Sequence, residues 1–341
     1  MTPNPILNTL PLGQRWPTLD PFLFCVYHDD AYPPANADMT PRASLEGRAI
    51  GQDFSRKDGW SMYHGTRVPG FPAHPHRGFE TITVVRKGLI DHSDSLGATA
   101  RFGQGDVQWL TAGKGIVHAE MFPLLKGTDG NPLELFQIWL NLPAASKMAE
   151  PHFTMFWADD IPGGVVKDSQ GLETHVSVVA GQWAGAGKPL SPPPDSWASQ
   201  AQSDVAVWTL RMQPGASFSL PAAKPGTRRM LYFFKGQTVT MGGQQLNDHS
   251  AVELHSDADV QLVNGNQTSE FLLLQGKPIA EPVVQYGPFV MNSEAEIRQT
   301  ITDYQQTQFG GWPFASQAPT HGHDPARLAR HPGGWVEKPA S

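Results

Sequence analysis

The sequence predicts an all-β protein of two β-rich domains. Apolar residues come in short runs rich in β-branched and aromatic side chains, Gly and Pro punctuate them throughout, and the whole pattern of runs occurs twice. The chain has 341 residues, and its 34 glycines and 31 prolines are scattered between the runs instead of gathered in a low-complexity tract. A single core usually stops growing before that length, so two modules are expected.

In chain order, the first set of candidate strands is Phe22 to Val26, Thr81 to Val85, Val107 to Leu110 and Leu135 to Leu140. A comparable set comes later at Thr174 to Val179, Val205 to Arg211, Met230 to Phe234, Val260 to Val263 and Phe271 to Leu274. Arg86-Lys87-Gly88 closes a strand in the first set as Phe234-Lys235-Gly236 does in the second. Aligning those glycines puts Ala222 and Lys224 where the first half has His74 and His76, as if the second copy had lost a site. Ala184 to Ser196, with three consecutive prolines, reads as a surface loop. Ser293-Glu-Ala-Glu296 is a capping-box pattern, and Ile297, Ile301 and Tyr304 then fall on one helical face. Beyond Trp312 the Pro, Gly and His-rich tail has no periodicity and is expected to be irregular and draped on the surface. The expected modules are residues 1–152, 153–292 and a helix with its tail at 293–341.

A net charge of −7 and a pI near 6.0 leave no basic stripe for tracking phosphates, which argues against direct nucleic-acid binding. The lone Cys25 cannot form an internal disulfide and is read as a small buried hydrophobe. The first residues lack a basic region followed by an apolar run, so a cytoplasmic location is expected. No stretch approaches the roughly 18 to 20 uninterrupted apolar residues that span a bilayer.

The chemistry concentrates in two short segments. Residues two apart on a strand point to the same side, so His74-Pro75-His76 presents two imidazoles to one face of its sheet. His118-Ala119-Glu120 does the same with an imidazole and a carboxylate. Two such strands side by side in a small barrel make a pocket of three nitrogens and one oxygen, which suits Fe(II), Mn, Ni, Cu or Zn and offers no thiolate for a structural zinc. Four protein ligands would leave about two octahedral positions open to water, dioxygen or substrate. The competing reading is that each histidine is a satisfied structural residue, since 13 histidines give some close pairs by chance. His321 and His323, in the tail, are taken as such a pair. Arg77 continues the first motif. Glu80 shares parity with the histidines and could be a fifth ligand, but Gly78 can mark a bulge that re-aims the residues after it, and Glu80 is read as supporting the site or the fold. Phe71 and Trp109 are candidates to line the cavity mouth.

The segments His74-Pro-His-Arg-Gly-Phe-Glu-Thr81 and Gly105-Asp-Val-Gln-Trp-Leu-Thr-Ala-Gly-Lys-Gly-Ile-Val-His-Ala-Glu120 closely resemble the two signature segments of the pirin family. So do Gln137-Ile-Trp-Leu-Asn-Leu-Pro143, which makes Gln137 a further cavity candidate, and Glu281-Pro-Val-Val-Gln-Tyr-Gly-Pro-Phe-Val-Met-Asn292. The likeness runs from about Pro21 to about Trp312. It implies two cupin-type β-barrels in tandem, a bicupin with few short helices. It also implies one Fe(II) site in the N-terminal barrel held by His74, His76, His118 and Glu120, and none in the second barrel. Pirin-like proteins include members that open the flavonol ring of quercetin with dioxygen, and others that dock on transcription factors or metabolic enzymes. The resemblance therefore implies either a quercetinase-type dioxygenase, with a small aromatic substrate, dioxygen and Glu120 as the catalytic proton acceptor, or a non-catalytic iron-binding regulator with a protein partner. A third reading is a structural bicupin with a vestigial ion. Two stretches depart from the family pattern: Ala31 to Ser61 is longer and more polar than expected before the metal motif, and the tail extends past the family core.

Overall fold

A computed structural model describes residues 4–340. Strands make up most of the regular structure, as the alternation and punctuation of the sequence require, and the chain divides into two compact units. One comprises Tyr27–Gln137, Ala144–Asp159 and the chain from Glu281 on; the other comprises the chain through Val26, Ile138–Pro143 and Asp160–Ala280. Each expected run lies on a strand, except that Val205 precedes Ala206–Met212 by one residue, and most strands extend beyond the run. Phe22 to Val26 begins Phe22–Tyr32, and Thr81 to Val85 sits inside Phe79–Lys87. The runs mark only the apolar stretch, whereas backbone pairing continues through polar neighbours.

The unit that begins at Tyr27 holds most of a sheet with the order His152–Phe156, Val107–Thr111, Phe79–Lys87, Asn131–Asn141, Phe22–Tyr32. Its other sheet has the order Val336–Glu337, Leu328–Arg330, Thr99–Gly103, Leu89–Asp94, Ile116–Met121, Gly70–His76. Alternation decides which side chains enter the core. Val85, Ile90, Phe102, Leu110, Ile116 and Leu135 belong to one buried cluster, so Thr83, His92, Gln108, His118, Glu120 and Gln137, which share their parities, face the same interior.

The other unit repeats the plan, with a seven-stranded sheet and the four-stranded sheet Ser217–Leu220, Val260–Asn264, Thr238–Met241, Gln244–Asn247. The sheet order Gly70–His76, Ile116–Met121, Leu89–Asp94, Thr99–Gly103 matches this four-strand order, so Ser217–Leu220 corresponds to the strand of His74. The register drawn from the two glycines is corrected here. Ala222 and Lys224 lie in the loop between Ser217–Leu220 and Arg228–Lys235, which is longer than the two-residue turn Arg77-Gly78. Where His74 faces His118 in the first unit, Phe218 faces Leu262 in the second, and both belong to its apolar core.

The helix forms where the capping box places it, at Glu294–Thr307, with Ser293 Oγ accepting from the Glu296 amide. Ile297, Ile301 and Tyr304 meet Phe289, Met291 and Phe309 in a small separate cluster. The tail is less irregular than expected, because Leu328–Arg330 pairs with Thr99–Gly103. His321 is docked, its amide donating to Asp91 and its Nε2 3.1 Å from Ser93 Oγ. Cys25 is buried, and burial pushes its thiol pKa far up. Among the described residues no helix is long and apolar enough to cross a membrane.

Candidate metal centre

Gly70–His76 and Ile116–Met121 pair antiparallel with His74 directly opposite His118, and this register brings the imidazoles together. The ring centroids lie 4.5 Å apart for His74 and His118, 4.8 Å for His74 and His76, and 4.9 Å for His76 and His118. One nitrogen from each ring lies within 4.8 Å of the others. Donors held at about 2.1 Å from one ion are separated by about 3 Å when adjacent and about 4 Å when opposite, so this spacing needs only small side-chain movement. Glu120 Oε2 stands 3.9 Å from His118 Nε2.

The protonation states suit a cation. His74 is held at about 4 by burial, against a hydrogen bond to the Pro72 carbonyl; burial and the neighbouring histidines press His76 and His118 well below the ordinary imidazole value. All three are neutral at pH 7. His74 Nδ1 lies 2.8 Å from the Pro72 carbonyl, so it is the protonated nitrogen and Nε2 carries the free lone pair. Both ring nitrogens of the fully buried His118 lack a hydrogen-bond partner among the described residues. That is costly for a polar group unless something else satisfies it. Burial raises the pKa of Glu120, opposed by His92 and by Thr83. The donor set fits a divalent ion, because three neutral imidazoles and one carboxylate offset part of its charge without thiolate.

The remaining candidates divide. Gln137 enters the site: its Nε2 lies 3.5 Å from Glu120 Oε2, and the Thr83 hydroxyl lies 3.1 Å from Glu120 Oε1 and 2.8 Å from Gln137 Oε1. Phe71 also enters, with its ring 6.4 Å from that of His74. Residues three apart on a regular strand point to opposite sides, but a bulge between Phe71 and His74 sets Phe71 opposite Glu120 and His74 opposite His118, on one face. Arg77 points elsewhere. Its guanidinium bonds Asp303 at 2.7 Å, its Nε donates to the Lys114 carbonyl, and it lies over the Phe309 ring. Glu80 accepts from Thr111 at 2.8 Å, on the opposite face of its strand from Thr83, so Gly78 has broken the parity that linked Glu80 to the histidines. Trp109 is fully buried opposite Ile82, on that same outer face.

Sequence reading missed Thr83, His92, Asp94 and Gln108. Thr83 holds Glu120. His92 stands directly opposite Glu120, its ring 5.5 Å from His118, and its Nε2 lies 3.1 Å from Asp94. Gln108, opposite Thr83, is buried with no hydrogen-bond partner on either amide atom among the described residues. The His92-x-Asp94 spacing was a usable signal, being the same two-residue pattern as the ligand pairs; Thr83 and Gln108 carried none.

Comparisons with known proteins agree with this architecture. A family model described as Pirin matches residues 8–140, and one described as Pirin C-terminal cupin domain matches residues 207–310. Pirin of Homo sapiens is 34% identical over 254 residues, covering 73% of this chain and 80% of that protein. Pirin-1 of Arabidopsis thaliana is 36% identical over 246 residues, covering 71% and 78%. The crystal structure of a quercetin 2,3-dioxygenase from Acinetobacter baumannii superposes with a TM-score of 0.69 at 27% identity, covering 90% of this chain and 98% of that one. The two all-β modules are thus of the cupin type, and the chain belongs to the pirin family.

Proposed function

We propose that the protein is a metal-dependent dioxygenase of the quercetinase type, acting on a flavonol or a similar enolic aromatic, with one divalent ion held by His74, His76, His118 and Glu120. The observation that carries this reading is the convergence of three neutral imidazoles beside a buried carboxylate. The structural likeness to a quercetin 2,3-dioxygenase supports it. Fe(II) is the leading ion, with Mn, Ni, Cu or Zn as alternatives, since affinity alone follows the Irving–Williams order.

When bound, the ion would act as a Lewis acid toward an enolic hydroxyl and as an electron partner for dioxygen. The chain's own work is proton handling and orientation. Glu120, whose pKa burial raises, accepts the enolic proton. Thr83 and Gln137 stand against its two oxygens and orient the carboxylate. The apolar walls, among them Ile90, Phe102 and Ile116, exclude bulk water from the proton transfer.

Metal analysis of protein purified without added metal, then anaerobic Fe(II) loading and oxygen uptake with a flavonol panel, tests the proposal. Glu120→Gln is expected to keep most of its metal while turnover falls by at least about a hundredfold, and His118→Ala to lose the metal. Wild-type turnover by the Gln variant would refute the proton-acceptor role. Absence of uptake with every flavonol, together with a stable protein partner in pull-downs, would favour the regulatory alternative.

A further inference from the structure

The segment Ala31 to Ser61, which the family pattern does not predict, is a built structure. Arg48 is buried, pairs with Asp53 at 2.9 Å, donates to the carbonyls of Trp60 and Lys57 and lies 3.5 Å over the Trp60 ring. Asp53 and Tyr63 exchange two backbone hydrogen bonds, at 2.9 and 2.8 Å. These contacts fix the next residue, Phe54, against the segment that leads to the metal motif. The Phe54 ring meets Tyr63 edge-on at 5.4 Å and His64 at 5.2 Å; Tyr63 stacks on Phe71 at 5.2 Å, and Phe71 adjoins His74. Phe54 is nevertheless 45% exposed, and Phe71 is only partly buried. The contacts therefore hold Phe54 in place while leaving part of its ring accessible, 6.5 Å from Phe71.

A polar group completes the cluster. The Tyr63 hydroxyl donates to Asp30 Oδ2 at 2.7 Å, so its single proton is committed, and His28 Nδ1, 2.7 Å from the Tyr63 hydroxyl oxygen, must be the donor in that contact. Asp30 is in turn held by the Ser61 amide at 3.0 Å. This chain fixes the tautomer of His28 and leaves Nε2 as an acceptor with no hydrogen-bond partner among the described residues. The imidazole is neutral at pH 7, because burial and Arg56 press its pKa to about 4, so the lone pair is free. The His28 ring lies 6.1 Å from Phe71 and 4.7 Å from Tyr63. Aromatic faces beside a lone acceptor match a planar ring that carries a hydroxyl donor.

We propose that Phe54, Phe71 and His64 form a seat beside His74 for a planar hydroxylated aromatic ring, whose hydroxyl donates to His28 Nε2, with Tyr63 and Asp30 as positioning residues. The proposal rests on the dioxygenase reading only for placing the substrate; its own observations are the aromatic cluster and the fixed tautomer.

Binding of quercetin and of flavone, which lacks hydroxyls, is measured on metal-free protein under anaerobic conditions, so that neither metal nor turnover contributes. Phe54→Ala is expected to weaken both ligands about tenfold. Loss of the acceptor in His28→Phe is expected to weaken quercetin about tenfold and leave flavone within about twofold. Phe54 is exposed, so its variant keeps the test valid if substitution at His28 disturbs folding, which melting curves monitor. Unchanged affinities in Phe54→Ala, or equal losses of quercetin and flavone in His28→Phe, overturn the seat. Flavonol turnover that persists in both variants with kcat/KM unchanged overturns the seat while the dioxygenase reading stands. The expected binding pattern without oxygen uptake by any loaded protein supports the seat and rejects that reading.

Discussion

His74 and His28 each sit at about 4 where a free imidazole sits at 6.5, with burial as the main cause in both, and His76 and His118 are pressed down in the same direction. Those directions set the sign of the linkage. Between pH 6.5 and about 4 the unfolded chain binds protons that the folded chain refuses, so stability is full above 6.5 and falls as pH drops through that window. Asp30 works the other way, since burial raises it from 3.8 to about 6 and it regains stability as it protonates. His74 and His28 alone outweigh it, His76 and His118 act in the same direction, and metal-free protein is expected to lose at least about 2 kcal/mol between pH 7 and pH 5. Urea midpoints at the two values measure this, and a midpoint that holds or rises at pH 5 would contradict the neutral buried imidazoles. At this scale the candidate ligands were legible in the sequence, because alternation along a strand is a property of the chain itself. Thr83 and Gln108 were not, because what makes them site residues is the strand across from them.

The turn between the His74 strand and the next one is set by a glycine that nothing else can replace. Gly78 has φ of 86°, and a Cβ there would meet the Val290 carbonyl oxygen at 1.9 Å. Gly97 has a similar φ of 82° but open space around the added carbon. Gly78→Ala is therefore expected to cost more than about 3 kcal/mol or to abolish folding, and Gly97→Ala about 1 kcal/mol, the strain of the left-handed backbone alone. Denaturation of the two variants separates a close approach from a merely unusual φ, and equal losses would reject the distinction. The bulge between Phe71 and His74 is the other decisive local device, since it re-aims Phe71 onto the ligand face. Pro72 lies in it, but nothing in the local sequence located the bulge, because the register shift is defined only against the partner strand. At the other end of the chain, Leu328–Arg330 covers the edge of Thr99–Gly103, and Arg327 and His321 bind Asp106 and Asp91. Ending the chain after Trp312 is expected to expose that edge, lower Tm by several degrees and promote association. Light scattering and melting curves check this, and an unchanged Tm would mean that the tail is only draped.

At the scale of the whole molecule, a metal that binds the native chain and not the unfolded one raises stability by mass action, by about 2.7 kcal/mol at a hundred times Kd. Tm of the chelated protein is therefore expected to rise with added divalent ion in the wild type. The rise should vanish in His118→Ala, which removes a donor from the unit that begins at Tyr27. A metal-dependent Tm that survives that substitution would place the ion elsewhere. The second module explains why one site is expected and not two: its counterpart of the His74–His118 pair is Phe218–Leu262, two side chains that fill an apolar core.

The sequence by itself determined the all-β class, the doubled architecture, the capped helix and the two-residue spacing that turns three imidazoles and a carboxylate toward one face. The doubling is one pattern recurring along the chain, and each of the others is a local period or a local hydrogen bond, written in residues at most a few positions apart. Tertiary structure alone decided that Glu80 and Trp109 face away, that Arg77 anchors the C-terminal helix, that His92 and Thr83 stand against Glu120, and that Phe54 and His28 gather around Tyr63 and Phe71. Those outcomes depend on register between strands and on one bulge, and a shift of a single residue in either would send the same side chains to the opposite face.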